Sequence, residues 1–416
     1  MSATISLLAA AISPPPNVIM TQDEGYDLLV TDSTQEVDRH CLPMRQRRLT
    51  GTWLIPAIAQ FGMGDTEFTA LLDGFGKWNK FELTGHGELC VTMKMMPSGF
   101  YNESLKLQRV APGVLFAETE PKRPCHVPWC NVEGPNDNVV VNTIEDSGVF
   151  SVTTDSPTLI DFDLETLKLH GKHEWEHSDV DTAGFDHKSM LGSAHPVRRP
   201  GDGLRVGLDI EPPMMDPVGA LESHLAIFVW DGADASTRRL SARVSWHHTP
   251  YVHSFGVLHD AALLPIQPLQ VETARIAAGE PLQRAFVERR NDNLTLLLVP
   301  FGDGGRAGGE PRAFVTDRHV MTTHTLNTWY TDGGNTIVWD GAVQGADVWG
   351  SDSGLMLKTQ RNRTARDESF ARGRGHVERF TIDLRSGTVS SRVLSSLESS
   401  TDFTHIDPRW MGKPYC

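Results

Sequence analysis

The sequence has no basic run or stripe able to neutralise a phosphate backbone. It holds 38 Lys and Arg against 53 Asp and Glu, a net charge of −15. Counterion release therefore offers nothing to a nucleic-acid partner. The small Arg cluster between Arg45 and Arg48 reads as part of a solvated loop. Long apolar runs are missing too: Ser6 to Ile12 is too short to span a bilayer, which excludes an integral membrane protein as far as hydropathy can. The opening MSATISLLAAAISPPPNVIM contains no Lys or Arg, which secretory signals and most transit peptides want. Localisation stays open, with an intracellular site, cytoplasm or plastid, as the expectation.

Cysteine is scarce and scattered: Cys41, Cys90, Cys125, Cys130 and Cys416 are an odd set. PCHVPWC places Cys125 and His126 near Cys130, but no second ligand pair of zinc-finger spacing follows. Reduced thiols in a reducing compartment are the expectation. Helix-period segments of convincing length are absent after about residue 50. The glycine-rich GDGG (Gly302–Gly305) and ARGRG (Ala371–Gly375) do not follow a strand and open a helix. A dinucleotide or P-loop site fails on that context, and both read as surface turns. No GxSxG elbow occurs, which removes the usual serine-hydrolase reading.

What the chain does have is short β-rich runs with turn chemistry between them. KWNKFEL precedes TGHGE, NVVVNTI precedes EDSG, LAIFVW precedes DGAD, LTLLLVP precedes FGDGG, NTIVWD precedes GAVQGAD and RFTIDL precedes RSGTV. Regular spacing of this kind predicts an all-β sandwich, barrel or propeller, although no WD or kelch repeat is present. Residues 1–49 read as an irregular lead-in and 50–416 as one β domain.

Three of the 17 histidines sit in similar, apolar or small-residue settings: GSAHP (His195), YVHSFG (His253) and TTHTLNTWY (His324). They are 253 − 195 = 58 and 324 − 253 = 71 residues apart, so they belong to different supersecondary units. A propeller brings equivalent strands of successive blades to one axis, where three neutral imidazoles would make a site for a first-row metal. Read as a strand, YVHSFGVLHD puts Tyr251, His253, Phe255, Val257 and His259 on one face. His259 lacks a partner motif and reads as structural. The densest His and acid cluster, with His170, His173, His177 and His187, contains HEWEH, but without the apolar helix of a zincin it reads as a loop. His247 and His248 read as capping the following strand, and His86 as a hairpin tip.

The words around these histidines resemble the motifs of the carotenoid cleavage oxygenases. SAHP, YVHSFG and HTLNTWYTDGGNTIVWD match that family's histidine segments in order. TGTWLIPAIAQFGMG resembles its opening segment, LLDGFGKWNKFEL its DGxG hairpin, with Leu72 and Asn79 in place of the usual Phe and His, and FTHIDPRWMGKPY a later segment. The resemblance runs from about residue 50 to the end and implies a seven-bladed β-propeller. It also implies iron(II) on the axis, held by His195, His253 and His324, and cleavage of a carotenoid or apocarotenoid double bond with O₂. Peripheral contact with a membrane for substrate uptake is a further expectation.

The family's outer carboxylates fall on Asp155 in VTTDSP and Asp402 in STDFTHID, where the family has glutamates; taken alone, both read as turn residues. An aspartate is one methylene shorter, so either the backbone comes closer or a water intervenes. The family's fourth histidine lies about a hundred residues beyond Cys416, roughly two blades of 40–50 residues each. His376 and His405 do not sit in its motif. The expectation is thus a propeller incomplete at its C-terminus. The rival to the dioxygenase is a catalytically inactive propeller that binds an apolar ligand or nothing. A calcium-dependent lactonase-type propeller would need carboxylate and amide ligands that these motifs do not supply. Phe255, Trp329, Tyr330 and Trp339 are candidates to line a polyene tunnel, against plain core.

Overall fold

Apolar, β-branched runs broken by Gly, Asp and Asn corners fold as successive hairpins. The computed structural model describes residues 31–44, 49–113, 115–122, 142–146, 148–177, 189, 191–215, 221–232, 237–397, 401–402 and 405–415. Among these, five sheets of four or more strands follow one another along the chain, an all-β propeller arrangement. The first is built from Thr50–Gln60, Phe75–Thr84 and Glu88–Met95, the second from Asn142–Asp146 to Leu169–Lys172. The third centres on Arg205–Met215, Leu221–Trp230 and Thr237–Trp246, with the short Leu191–Gly192 at one edge. The fourth runs Gly256–Val257, Ala261–Ile266, Thr295–Pro300 and Arg312–Val315; the fifth runs Met321–Thr331, Thr336–Gln344, His376–Asp383 and Val389–Val393.

The inner faces of the third and fourth sheets form the largest apolar core, including Leu208, Leu225, Ile227, Phe255, Leu264 and Val299. Each such side chain, fully withdrawn from water, contributes about 1.5–3 kcal/mol. Trp339 packs on Phe380 with ring centres 5.2 Å apart in a second core. Phe255, Trp329 and Trp339 are buried in packed core, and Tyr330 donates its hydroxyl to Asp260 at 2.9 Å. Asp73 of the DGFG word accepts the amides of Phe116 and Ala117 at 2.6 and 2.8 Å, fastening a loop to the first sheet.

Four expectations need correcting. The strand Val37–Pro43 lies inside the stretch expected to be an irregular lead-in, pairing with Glu88–Met95 as the outer edge of the first sheet. In that register Cys41 faces Cys90, and the two form a disulfide with Cα atoms 3.9 Å apart, where reduced thiols were expected. A cross-strand pair points both Cβ atoms to one face, and sequence spacing does not reveal such a register. Helices were not anticipated, the two longest among the described residues being Gly99–Leu107 and Arg363–Gly373. Ser98 and Asn362 cap them by accepting the amides of Tyr101 and Ala365, the one signal the sequence offered. The ARGRG segment accordingly closes a helix instead of forming a free surface turn. Finally, Tyr251–Asp260 is not one strand: only Gly256 and Val257 pair within a sheet. The PCHVPWC segment lies outside the described residues.

Candidate metal centre

Three backbone segments are stitched together by small hydroxyl side chains. The His253 carbonyl accepts the Ser193 hydroxyl at 2.8 Å and the Ala194 amide at 3.1 Å, which ties the GSAHP segment to YVHSFG. Thr153 donates to the Ala194 carbonyl at 2.6 Å, joining the second sheet to the same knot. Ser254 donates to the Thr323 carbonyl at 3.0 Å and accepts the Thr325 amide at 2.6 Å, which ties YVHSFG to TTHTLN. Gly256 permits the close approach, because a Cβ there would lie 2.0 Å from the Thr328 hydroxyl oxygen. The ladder of Met321–Thr331 shifts register between Thr322 and Thr325, an irregularity of the kind that re-aims side chains beside active sites. His324 sits in that irregularity.

These ties bring His195, His253 and His324 together. Each pair of imidazoles has ring centres 4.9 Å apart, with interplanar angles of 71°, 77° and 87°. The Nε2 atoms of His195 and His253 are 3.2 Å apart, and one ring nitrogen from each of the three falls within 4.8 Å of the others. Two donors about 2.1 Å from one ion and at right angles to it lie about 3.0 Å apart, so the spacing suits adjacent ligands of one metal.

The far ring nitrogens are fixed by carboxylates. His253 Nδ1 meets Asp155 at 2.8 Å, and His324 Nδ1 meets Asp402 at 2.6 Å. Both contacts are direct, with no water needed between carboxylate and ring. Donation from Nδ1 leaves Nε2 with its lone pair, the form a metal ligand needs. Asp155 also accepts the Tyr251 hydroxyl at 2.8 Å. Burial, together with the Asp155 charge and hydrogen bond, pushes the Tyr251 phenol well above its usual range, so it remains a donor. Burial pushes the His195 imidazole well below its usual range, helped by the charges of His253, His324 and His405, which keeps it neutral. Burial opposes protonation of His253, but the Asp155 charge and hydrogen bond outweigh it and raise its pKa.

The donor set fits a first-row divalent ion: three imidazoles, and two outer carboxylates whose charges sum to −2. It does not suit calcium, which takes oxygen ligands. Behind His253, Tyr251 packs against Phe286 and Trp349 with ring centres 5.0 and 5.1 Å away, an apolar wall.

Other described histidines lie outside the triad. His173 pairs with Asp161 at 2.9 Å and packs edge-on to Trp175, and His187 lies outside the described residues. His376 pairs with Glu378 at 3.2 Å. His259 is exposed beside Asp260, and His86 is exposed at its hairpin tip. His405 is exposed yet within electrostatic reach of His195. The RWMGK part of that later segment docks on the third histidine motif: Asn327 donates to the Trp410 and Lys413 carbonyls and accepts the Gly412 amide. Tyr251, Ser254, Thr323 and Gln344 were not picked out from the sequence. Tyr251 and Ser254 share the YVHSFG word with His253, and Thr323 shares the TTHTLNTWY word with His324; Gln344 lies outside both.

No helix among the described residues is long and apolar enough to cross a membrane. The fold is similar to that of a chimera of apocarotenoid oxygenase with the retinal pigment epithelial protein, with a TM-score of 0.72 and 17% identity, over 95% of this chain and 77% of that one. A glutamate-to-aspartate variant of Synechocystis apocarotenoid oxygenase matches with a TM-score of 0.71 at 17% identity, over the same shares. The cobalt-substituted Synechocystis enzyme matches at 0.70 and 16%, again over 95% and 77%. The fold is thus the seven-bladed β-propeller type of those oxygenases. In sequence, the chain is 25% identical over 394 residues to carotenoid cleavage dioxygenase 8, chloroplastic, of Arabidopsis thaliana. That match takes in 88% of this chain but only 64% of the length of the relative. The profile of the family described as retinal pigment epithelial membrane protein matches residues 47–416, all three histidine words included, and the chain belongs to that family, the carotenoid oxygenases.

Proposed function

We propose that the chain is an iron(II)-dependent dioxygenase that cleaves a carbon–carbon double bond of a carotenoid or apocarotenoid with O₂. His195, His253 and His324 are the iron ligands, and Asp155 and Asp402 the outer carboxylates. The observation that carries this is the triangle of imidazoles, 4.9 Å on each side, with two of its rings anchored at Nδ1 by carboxylates. Bound iron(II) would supply the electrons and the open position needed to activate O₂, whose two atoms end in the two carbonyl products. The chain's residues do the rest. Asp155 and Asp402 hold the rings in the donating tautomer and offset the charge of the ion. The Tyr251, Phe286 and Trp349 wall keeps water from one side of the centre, so these electrostatic interactions act in a low dielectric. Pocket shape, with no acid–base residue, would set which double bond lies at the metal. Peripheral contact with a membrane is the proposed route for so apolar a substrate.

The test is metal analysis of the purified chain, followed by product analysis with carotenoids, apocarotenoids and stilbenes under O₂. The expected results are one iron per chain and loss of iron in His253→Ala with folding intact. Stoichiometric iron in that variant would sink the assignment. Iron without any cleavage product would favour the rival reading, a non-catalytic propeller.

A further inference from the structure

We propose that Gln344 is a positioning residue of this centre, acting on His324 through Asp402; the inference rests on the metal reading above. Asp402 lies outside every sheet, so no β-ladder fixes its side chain. Its carboxylate is held by donors on both oxygens instead. Oδ1 accepts His324 Nδ1 at 2.6 Å and the Thr323 hydroxyl at 2.8 Å, while Oδ2 accepts Gln344 Nε2 at 2.9 Å. The same Nε2 lies 3.2 Å from the Thr323 hydroxyl, which closes a ring of hydrogen bonds.

Donors on both oxygens fix the plane of the carboxylate, and with it the direction of the lone pair that receives the His324 proton. An aspartate needs this more than a glutamate, because its short arm has to meet the imidazole from one backbone position. The residue type also makes sense. A Lys or Arg at position 344 would cancel the negative charge that Asp402 sets against a bound cation, whereas an amide orients the carboxylate and leaves its charge intact.

Gln344 is itself well placed. It is the last residue of Thr336–Gln344, facing Met321 across the ladder, and it is only 9% exposed. Its side chain packs on Gly375, whose carbonyl accepts the Thr401 amide at 2.8 Å and so delivers the neighbouring Asp402. A Cβ on Gly375 would lie 2.7 Å from the Thr401 carbonyl oxygen and 3.4 Å from Gln344 Cγ.

The experiment is a titration of the purified, metal-free full chain with Co²⁺, followed by visible absorption, alongside thermal unfolding of the same metal-free samples. Gln344→Met removes the donor at similar volume, and Gln344→Glu keeps the shape but faces Asp402 with a second carboxylate. Both are expected to bind Co²⁺ about 10–100-fold more weakly, and the unfolding of the metal-free samples shows which variants remain folded and so count in the comparison. In an Asp402→Asn background, adding Gln344→Met should produce no further loss. Wild-type affinity in either folded variant overturns the proposal. So does an equal loss with and without the Asp402 carboxylate, because Gln344 would then act by another route. If the wild-type chain itself binds no Co²⁺, the metal reading fails and this inference falls with it, an outcome distinct from a variant that binds as well as wild type.

Discussion

Replacing Ser254 by alanine removes one buried oxygen that serves two histidine segments at once. Ser254 is 6% exposed, donates to the Thr323 carbonyl at 3.0 Å and accepts the Thr325 amide at 2.6 Å. The substitution leaves an amide and a carbonyl without this partner at a largely buried position. Each unsatisfied group costs about 1–3 kcal/mol, and partial relaxation brings the sum to roughly 2–4 kcal/mol. With a urea slope of about 3 kcal/mol/M, the unfolding midpoint of the metal-free protein should fall by about 1 M. Because the same oxygen fixes His324 relative to His253, Co²⁺ affinity should fall with it, by about tenfold or more. Urea denaturation and cobalt titration on one preparation measure both effects. A midpoint and an affinity indistinguishable from wild type would refute the reasoning. A lower midpoint with unchanged affinity would show that the two segments are held in register by something else.

Gly256→Ala should destabilise by about 1–3 kcal/mol and give a lower urea midpoint, since its Cβ would meet the Thr328 hydroxyl at 2.0 Å. Reducing the Cys41–Cys90 disulfide, which spans 49 residues, should cost up to about 4 kcal/mol. Equal urea midpoints with and without reductant, once thiol titration has shown the bond opened, would count against that. Burial pushes the Asp73 carboxyl up to about 7, against the lowering effect of the Ala117 and Phe116 amides. A folded pKa above the unfolded one stabilises the protein at low pH, and that contribution is lost as the pH rises from about 4 through 7. The loss should total about 4 kcal/mol, because each pH unit between the two pKa values is worth about 1.4 kcal/mol. The stability of wild type relative to Asp73→Asn should therefore fall over that window, and parallel curves would exclude the effect.

The runs KWNKFEL, LAIFVW, LTLLLVP and RFTIDL announced their strands because each is a short β-rich stretch followed by turn residues, a signal set by local chain chemistry. The helix Arg363–Gly373 escaped notice because it buries only Arg366 and Ser369, so no apolar stripe marks it. His195, His253 and His324 were legible as candidates because each sits in a short word whose pattern survives without the fold. Gln344 was not legible. It lies 402 − 344 = 58 residues from Asp402, and nothing in its neighbourhood differs from an ordinary strand end. The pairing of Cys41 with Cys90 was hidden for the same reason, since it depends on the register of an edge strand.

By itself, then, the sequence determined the β-hairpin periodicity, the acidic charge balance and the three histidine words, all readable without knowing which segments touch. Only the tertiary structure decided which distant groups meet. Strand register placed Cys41 opposite Cys90, a ladder irregularity aimed His324 at its two partners, and the packing of separate segments set Asp155 and Asp402 in direct contact with imidazoles. Those outcomes follow from packing among segments tens of residues apart, where a shift of an ångström makes or breaks a hydrogen bond, and such distances are not written in any local pattern of side chains.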